Sequence, residues 1–330
     1  MDTITAAIKS KKIYLIYSRN PDVKTVEEEM ERTFYNMKLI SECNYGVLQK
    51  INWMRASRTD KKVSAIMNLV SCKLHKYPGM TEEDLKSQAN ELLPDDVKIF
   101  RFIEVSNSFD SKGSNNNREY HYILPSFMLE PKDLTNPSNT TGIDAYVANY
   151  EYKITPEYLE KIQTVCKFFK GSKKYHNYTK KLSFNDASSV RHIYELSCDE
   201  LVNFDSFQAI KFKIVGQSFL YNQIRKMIGG IIDVCRGVKD MTYLENSVLA
   251  NKIDIPKAPA EGLYLFRIDY SRYNDRKATK KNPIFITESD EKEMDDFRVD
   301  LIKHIQKMEV KEKSFTKWLW KFDNMKENIY

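Results

Sequence analysis

Residues 56–65 read Ala-Ser-Arg-Thr-Asp-Lys-Lys-Val-Ser-Ala and place one carboxylate, Asp60, between the cations Arg58 and Lys61. A carboxyl group held in a positive field stays ionised, with a lowered pKa. An exposed turn with an aspartate cap has the same composition, so a structural and a chemical reading both stand at this point. The stretch that follows, Ile66 to Leu74, fits a strand, and a helix fits nearly as well.

Working outward, strands are expected at 12–17 (KIYLIY), 97–105 and 120–124, from their β-branched and aromatic content and their alternation. Thr25-Val-Glu-Glu28 is a capping box ahead of Val26, Met30, Phe34 and Met37 at helical spacing. Thr81 opens a second helix, with Leu85, Ala89 and Leu92 on one face and Pro94 as its stop. Thr155-Pro156 starts a third, broadly apolar through Tyr158, Leu159, Ile162, Val165, Cys166 and Phe169. Strands are expected again at 190–198, 210–215 and 263–270. Phe219 to Cys235 reads as a deeply buried helix, and Thr242-Tyr-Leu-Glu245 as another capping box. Asn107 to Asn117 and Lys132 to Thr141 are rich in Asn, Ser and Gly or Pro and read as loops. Beyond Arg272 the chain turns basic and then acidic. It closes on a helix with Met294, Phe297, Leu301, Ile305 and Met308 on one face, followed by Phe315, Trp318, Leu319 and Trp320. Such a tail is too apolar to stand free in water and is expected to dock on the body.

Composition narrows the function classes. The 330 residues are 42% hydrophobic and 30% charged, and no apolar run approaches the ~20 residues a membrane span needs. Five widely spaced cysteines form no CxxC pair, and their odd number argues against a complete disulfide framework. There is no GxxxxGK[ST], GxGxxG or HExxH, and the five histidines are not in ligand spacing, so neither a cofactor nor a metal is expected. The opening MDTITAAIKSKK shows neither an apolar core nor an Arg-rich amphipathic stretch. Nuclear or cytoplasmic placement is the expectation, with a mitochondrial one not separated from it. A formal charge of +6 permits a polyanionic partner. Two runs concentrate it: Arg272 to Lys281, and Lys170 to Lys181 with Tyr175 and Tyr178 among the cations. Solvated loops explain either run alone, while rings beside cations also suit stacked, backbone-bound nucleic acid. Arg225 is a second oddity, a guanidinium sharing a helical stripe with Tyr221, Ile228 and Ile232 and therefore in need of an acidic partner.

The stretch ASRTDKKVSA resembles the ARTDKGVSA signature of the TruA-type tRNA pseudouridine synthases, particularly their eukaryotic branch. Four further blocks follow in that family's order. Phe109-Asp-Ser-Lys112 with Arg118-Glu-Tyr120-His-Tyr122-Ile-Leu-Pro125 is similar to FNSK…ARTYCYLLP. Gly171-Ser-Lys-Lys-Tyr175-His176-Asn177-Tyr178-Thr179 is similar to GTHNFHNFT. Ser218 to Gly229 (SFLYNQIRKMIG) is similar to SFMLHQIRKMIG, and Ala258 to Leu265 (APAEGLYL) to the closing APGxGL element. Three departures stand out. The first expected strand does not lead into the family's GxGYxGxQ loop, Lys62 stands where the signature has Gly, and Lys173 replaces a histidine. A lysine at position 62 either avoids the left-handed backbone or adopts it at some cost.

The resemblance implies an α+β pseudouridine synthase fold: two α/β halves around a mixed, mainly antiparallel sheet with a central basic cleft, plus a helical C-terminal tail. The halves are expected at 1–125, with the catalytic Asp loop, and at 126–270, with 271–330 as the tail. It implies an isomerase that moves uracil from an N1 to a C5 glycosidic bond in tRNA or other structured RNA. The catalytic residues would be Asp60, Arg225 paired with it, and Tyr120 on the base. Arg58, Lys61, Leu263, Asn177, Tyr178 and Lys226 would contact RNA or wall the pocket. The chemistry needs no cofactor and no metal. The protein would be a monomer or a homodimer with no membrane partner. Competing expectations are an inactive RNA-binding relic of the same fold, an interaction scaffold using the aromatic tail and, least supported, a hydrolase with Asp60 and a second carboxylate.

Overall fold

A computed structural model describes residues 2–10, 25–132, 148–277 and 283–324. The strand expected at 12–17, most of the loop at 132–141 and the end of the basic run at 278–281 lie outside those residues. In chain order the elements begin with β1 (Asp2–Ser10), α1 (Val26–Asn36), β2 (Met54–Arg55), β3 (Ser64–Leu74), α2 (Glu82–Leu92), β4 (Val97–Glu104) and β5 (Asn117–Pro125). They continue with α3 (Pro156–Lys167), β6 (Gly171–Lys174), β7 (Val190–Asn203), β8 (Gln208–Gly216), α4 (Gln223–Cys235), α5 (Met241–Ser247) and β9 (Leu263–Asp269). The last three are α6 (Ser271–Lys277), α7 (Glu288–Glu312) and α8 (Ser314–Asn324). The fold is α+β and its described strand pairs are mainly antiparallel, as expected. The chain forms two compact units, 1–118 with 264–301 and 119–263 with 302–330.

In the first unit the strand order is β4-β1-β3-β9, with the short β2 alongside β3. β1 runs antiparallel to both neighbours, while β3 and β9 pair in parallel through Ser64/Tyr264 and Ala65/Leu265. From Ser64 to Cys72 every residue of β3 is buried. A strand covered on both faces loses the polar alternation that separates strand from helix in sequence, which is why both readings fitted this segment. Thr25 caps α1 by accepting the Glu28 N–H at 3.2 Å, a contact of the kind that contributes about 1 kcal/mol. The helix buries Val26, Met30 and Phe34 against Val70, Cys72 and Leu74 of β3, Leu85 and Ala89 of α2 and Phe102 of β4. Its Glu27 is fully buried, taking the Trp53 indole N–H at 2.8 Å and pairing with Arg55. The α7 residues of this unit are tied down by Arg101–Asp290 at 3.4 Å and Lys86–Glu293 at 3.5 Å, with Met294 and Leu301 buried beneath.

In the second unit the order is β5-β8-β7-β6. Thr155 caps α3, which buries Ile162, Val165 and Cys166. Every residue of α4 except Arg225 is buried. That helix starts at Gln223 and not at Phe219, because Asn222 takes a left-handed backbone (φ 64°) and the Gln223 side chain accepts the Leu220 N–H at 2.8 Å. Tyr221, expected on the apolar stripe, therefore precedes the helix and is 61% exposed. The cap of α5 is Asp240, which takes the Tyr243 N–H at 3.2 Å, and not Thr242. The Thr242 hydroxyl itself donates to the Asp240 carboxylate, inside the first turn that Asp240 caps. Close to α8, buried Glu309 accepts the Phe315 N–H at 2.7 Å and the Tyr150 hydroxyl at 2.8 Å. Arg236 donates to both oxygens of Asp323, and Trp318 to the Lys257 carbonyl at 2.8 Å. Among the described residues no helix is long and apolar enough to cross a membrane.

Candidate active site

Asp60 sits on the loop that leaves β2 and returns to β3. The exit is fixed through backbone carbonyls. The Ala56 N–H still pairs with the Leu69 carbonyl at 2.9 Å. The Ala56 carbonyl then accepts two bonds from Arg118, from Nε at 3.0 Å and Nη2 at 2.7 Å. The Ser57 carbonyl accepts the Asn68 amide at 3.0 Å. Ser57 and Thr59 are buried, Arg58 and Lys61 are exposed, and Asp60 is half-buried between them. The return is a tight turn in which the Asp60 carbonyl accepts the Val63 N–H at 3.0 Å. Its third residue, Lys62, has φ 71°, at the position where a type II turn takes glycine. The lysine therefore adopts the left-handed backbone, at a cost on the order of 1 kcal/mol.

Tyr120, Arg225 and Leu263 belong to the second unit, on elements joined to one another. Tyr120 of β5 is buried, with the Phe219 ring edge-on at 5.2 Å. Two residues on, Tyr122 donates its hydroxyl to the Pro259 carbonyl at 2.7 Å. Burial pushes that phenol well above its ordinary pKa, and the positive charge of Arg225 pulls the other way. Arg225 donates Nε to the Ala258 carbonyl at 2.7 Å and its own carbonyl receives the Ala258 N–H at 3.1 Å. The segment from Ala258 to Leu263 is thus pinned to α4. It is pinned to β5 as well, where the Ile123 N–H meets the Gly262 carbonyl at 2.9 Å. A Cβ at Gly262 would lie 2.5 Å from the Ile123 carbonyl oxygen, so the approach requires glycine. Leu263 is buried, its N–H turned back to the Ala260 carbonyl at 3.0 Å.

The remaining three candidates lie in the interior. The Asn177 amide donates to the Ser247 and Asn251 carbonyls, both at 2.8 Å, and accepts the Ile253 N–H. The Tyr178 hydroxyl meets Ser247 Oγ at 2.7 Å in full burial. Lys226 donates to the Asn177 carbonyl at 3.1 Å, and desolvation lowers its pKa. These side chains were expected to touch RNA. All three are buried, and their bonds run inward around the 176–178 turn. Asn68 and Arg118, which bond to the start of the Asp60 loop, were given no role from sequence. An amide between the apolar pairs Ile66-Met67 and Leu69-Val70 was the available sign for the first.

Residues 165–271 match a family model described as tRNA pseudouridine synthase. The chain is 30% identical over 253 residues to the human pseudouridylate synthase 1 homolog, covering 77% of this chain and 56% of the relative. It is 27% identical over 353 residues to tRNA pseudouridine synthase 1 of Kluyveromyces lactis, covering 87% of this chain and 62% of that one. It is 26% identical over 324 residues to the Saccharomyces cerevisiae protein of the same name, covering 78% and 59%. The chain spans less than two thirds of the length of each of these relatives. Five sequence blocks in order, an α+β fold and these matches agree: the chain belongs to the TruA-type pseudouridine synthase family.

Proposed function

We propose that this chain isomerises uridine to pseudouridine in tRNA, with Asp60 as the group that acts on the ribose. The reaction breaks the N1–C1′ bond and forms a C5–C1′ bond. The C5 hydrogen leaves as a proton and N1 gains one, so no oxidant or external energy source takes part. The target base must first leave its stack, at a cost of a few kcal/mol. Exposed Arg58 suits the task of occupying the vacated space or holding the extruded nucleotide, and exposed Lys61 that of meeting a phosphate. Asp60 attacks C1′ or removes the 2′ proton. Tyr120, buried against Phe219, offers a ring face to the uracil, and Leu263 a dry wall. The role the resemblance gives Arg225 is to keep the Asp60 carboxylate charged and aimed.

The observation that carries the reading is the Asp60 loop, which holds a half-buried carboxylate between two exposed cations and keeps the left-handed third turn residue although a lysine occupies it. That backbone removes one reason to regard the chain as an inactive relic. The test is release of tritium from tRNA transcripts carrying 5-tritiated uridine, with wild type beside Asp60→Ala. Release by wild type and a loss of at least about 10³-fold in the variant is the expected result, since no other group can replace a missing nucleophile or base. Equal release by both would remove Asp60 from the mechanism.

A further inference from the structure

We propose that Asn68 and Arg118 are positioning residues for Asp60, a role that rests on reading Asp60 as the catalytic group. β2 ends on β3 in a half-made pair. The register of β2 on β3 is Met54 opposite Ser71 and Arg55 opposite Val70, which puts Ala56 opposite Leu69. In a continuing antiparallel ladder such a pair exchanges two bonds, N–H to carbonyl each way. Here only one of the two is made, from the Ala56 N–H to the Leu69 carbonyl. The Leu69 N–H turns instead to Asn68 Oδ1 at 2.9 Å, and the Ala56 carbonyl it would have served is taken by Arg118. The Asn68 amide nitrogen then takes the next carbonyl out, Ser57, at 3.0 Å.

One ladder bond has thus been replaced by four side-chain bonds, at the point where the chain leaves the sheet for Arg58-Thr59-Asp60. A loop needing only a satisfied backbone would have kept the ladder bond. Asn68 is fully buried, with apolar Ile66, Met67, Leu69 and Val70 on either side of it along β3. An amide there is unfavourable unless both ends of it are used, and both are. With Ala56 and Ser57 held at the exit and the Asp60–Val63 turn at the return, the carboxylate has fixed backbone on either side. Reacting groups misplaced by about 1 Å can lose a hundredfold in rate. The two clamps therefore act on the rate of the chemical step and not on RNA affinity.

The test compares Asn68→Ala, Arg118→Ala and the milder Arg118→Lys with wild type on the same tritiated tRNA. Single-turnover rate, RNA affinity by filter binding and amide exchange across the whole chain are measured together. Expected are a single-turnover rate lowered about tenfold or more, RNA affinity changed less than about threefold, and faster exchange confined to residues 57–63. Arg118→Lys keeps the charge but cannot repeat the two-pronged bond, so it should show the same pattern if Arg118→Ala does not fold. An unchanged rate in folded variants overturns the proposal. So does a rate loss matched by an equal loss of affinity, or faster exchange spread evenly over β3 and α1. If wild type itself releases no tritium, it is the synthase reading that falls. Exchange then judges the clamps alone: faster exchange limited to 57–63 supports them, and unchanged exchange overturns them.

Discussion

The Asp60 loop and the Ala258–Leu263 segment are both fastened on two sides, but by different means. The loop is held by hydrogen bonds from long side chains, Arg118 and Asn68, and it carries a left-handed lysine. The segment is held by contact so close that side chains have been removed to allow it. Two residues before it, on the α4 side, a Cβ at Gly229 would lie 1.8 Å from the Pro256 carbonyl oxygen, and on its β5 side one at Gly262 would lie 2.5 Å from that of Ile123. Hydrogen-bonded restraint yields by degrees, since a backbone fault costs about a kilocalorie and the loop still closes. Steric restraint does not yield by degrees, because packed atoms have no room to give.

The sharpest way to break this comparison is Gly229→Ala. The methyl would overlap a backbone oxygen that cannot rotate away, so α4 and the Pro256 segment must separate. We expect destabilisation of more than about 3 kcal/mol, at or beyond the upper end of overpacking costs. The adjacent Gly230→Ala is the control. There the new Cβ meets a side-chain methyl of Leu244 at 2.9 Å, which a rotamer change can relieve. Urea unfolding should find Gly230→Ala close to wild type and Gly229→Ala far below it or insoluble. Similar midpoints for the two would mean that the segment shifts as freely as the loop.

A second difference lies in charge. Asp233, on the buried side of α4, has its pKa pushed up to about 6, mainly by desolvation, against an ordinary 3.8. A folded-state pKa above the unfolded one means that the native protein binds more protons than the unfolded chain between pH 4 and 6. Stability from this group is therefore full below about pH 4, falls as pH rises towards 6 and stays low above it. Asp233→Asn should remove that slope and raise stability at pH 7 by about 2 kcal/mol. A variant less stable than wild type at pH 7, or one with an unchanged slope, would show that the carboxylate is offset by its Tyr243 hydrogen bond.

What sequence could show of this molecule follows the range of the forces involved. The caps at Thr25, Thr81 and Thr155 were legible because a cap and the N–H it accepts lie three residues apart. Where two caps competed within three residues, at Asp240 and Thr242, local pattern chose the wrong one. The start of α4 was misplaced because apolar periodicity runs on through Phe219 and Leu220, and only the left-handed Asn222 ends it. For the candidate site, Asp60, Tyr120, Arg225 and Leu263 were picked out through ordered blocks of resemblance. The bonds from Arg118 to residue 56 and from Asn68 to residue 57 cross 62 and 11 positions and leave no local periodicity to read. The burial of Asn177, Tyr178 and Lys226 was not legible for the complementary reason. Polar residues in a basic run look like surface until their internal partners at 247, 251 and 253 are seen.

The smallest expected effect tests the tolerant side of the comparison. Lys62→Gly relieves a left-handed backbone but also gives the unfolded chain more freedom, and it removes a side chain with contacts of its own. Lys62→Ala removes the same side chain and keeps the Cβ that makes φ 71° unfavourable. The pair therefore leaves only two terms, backbone strain in the turn and glycine's added freedom in the unfolded chain. A left-handed non-glycine residue costs about 1–2 kcal/mol, and glycine's extra unfolded-state entropy returns about 0.4–1 kcal/mol of that. The glycine variant should exceed the alanine variant by about 0.5–1 kcal/mol, read as a shift in urea midpoint at constant slope. If the two midpoints coincide, the turn opens when a strained residue occupies it, and the Asp60–Val63 bond is not a fixed point. The measured gap, with glycine's unfolded-state entropy added back, is the strain that the turn withstands while still holding Asp60.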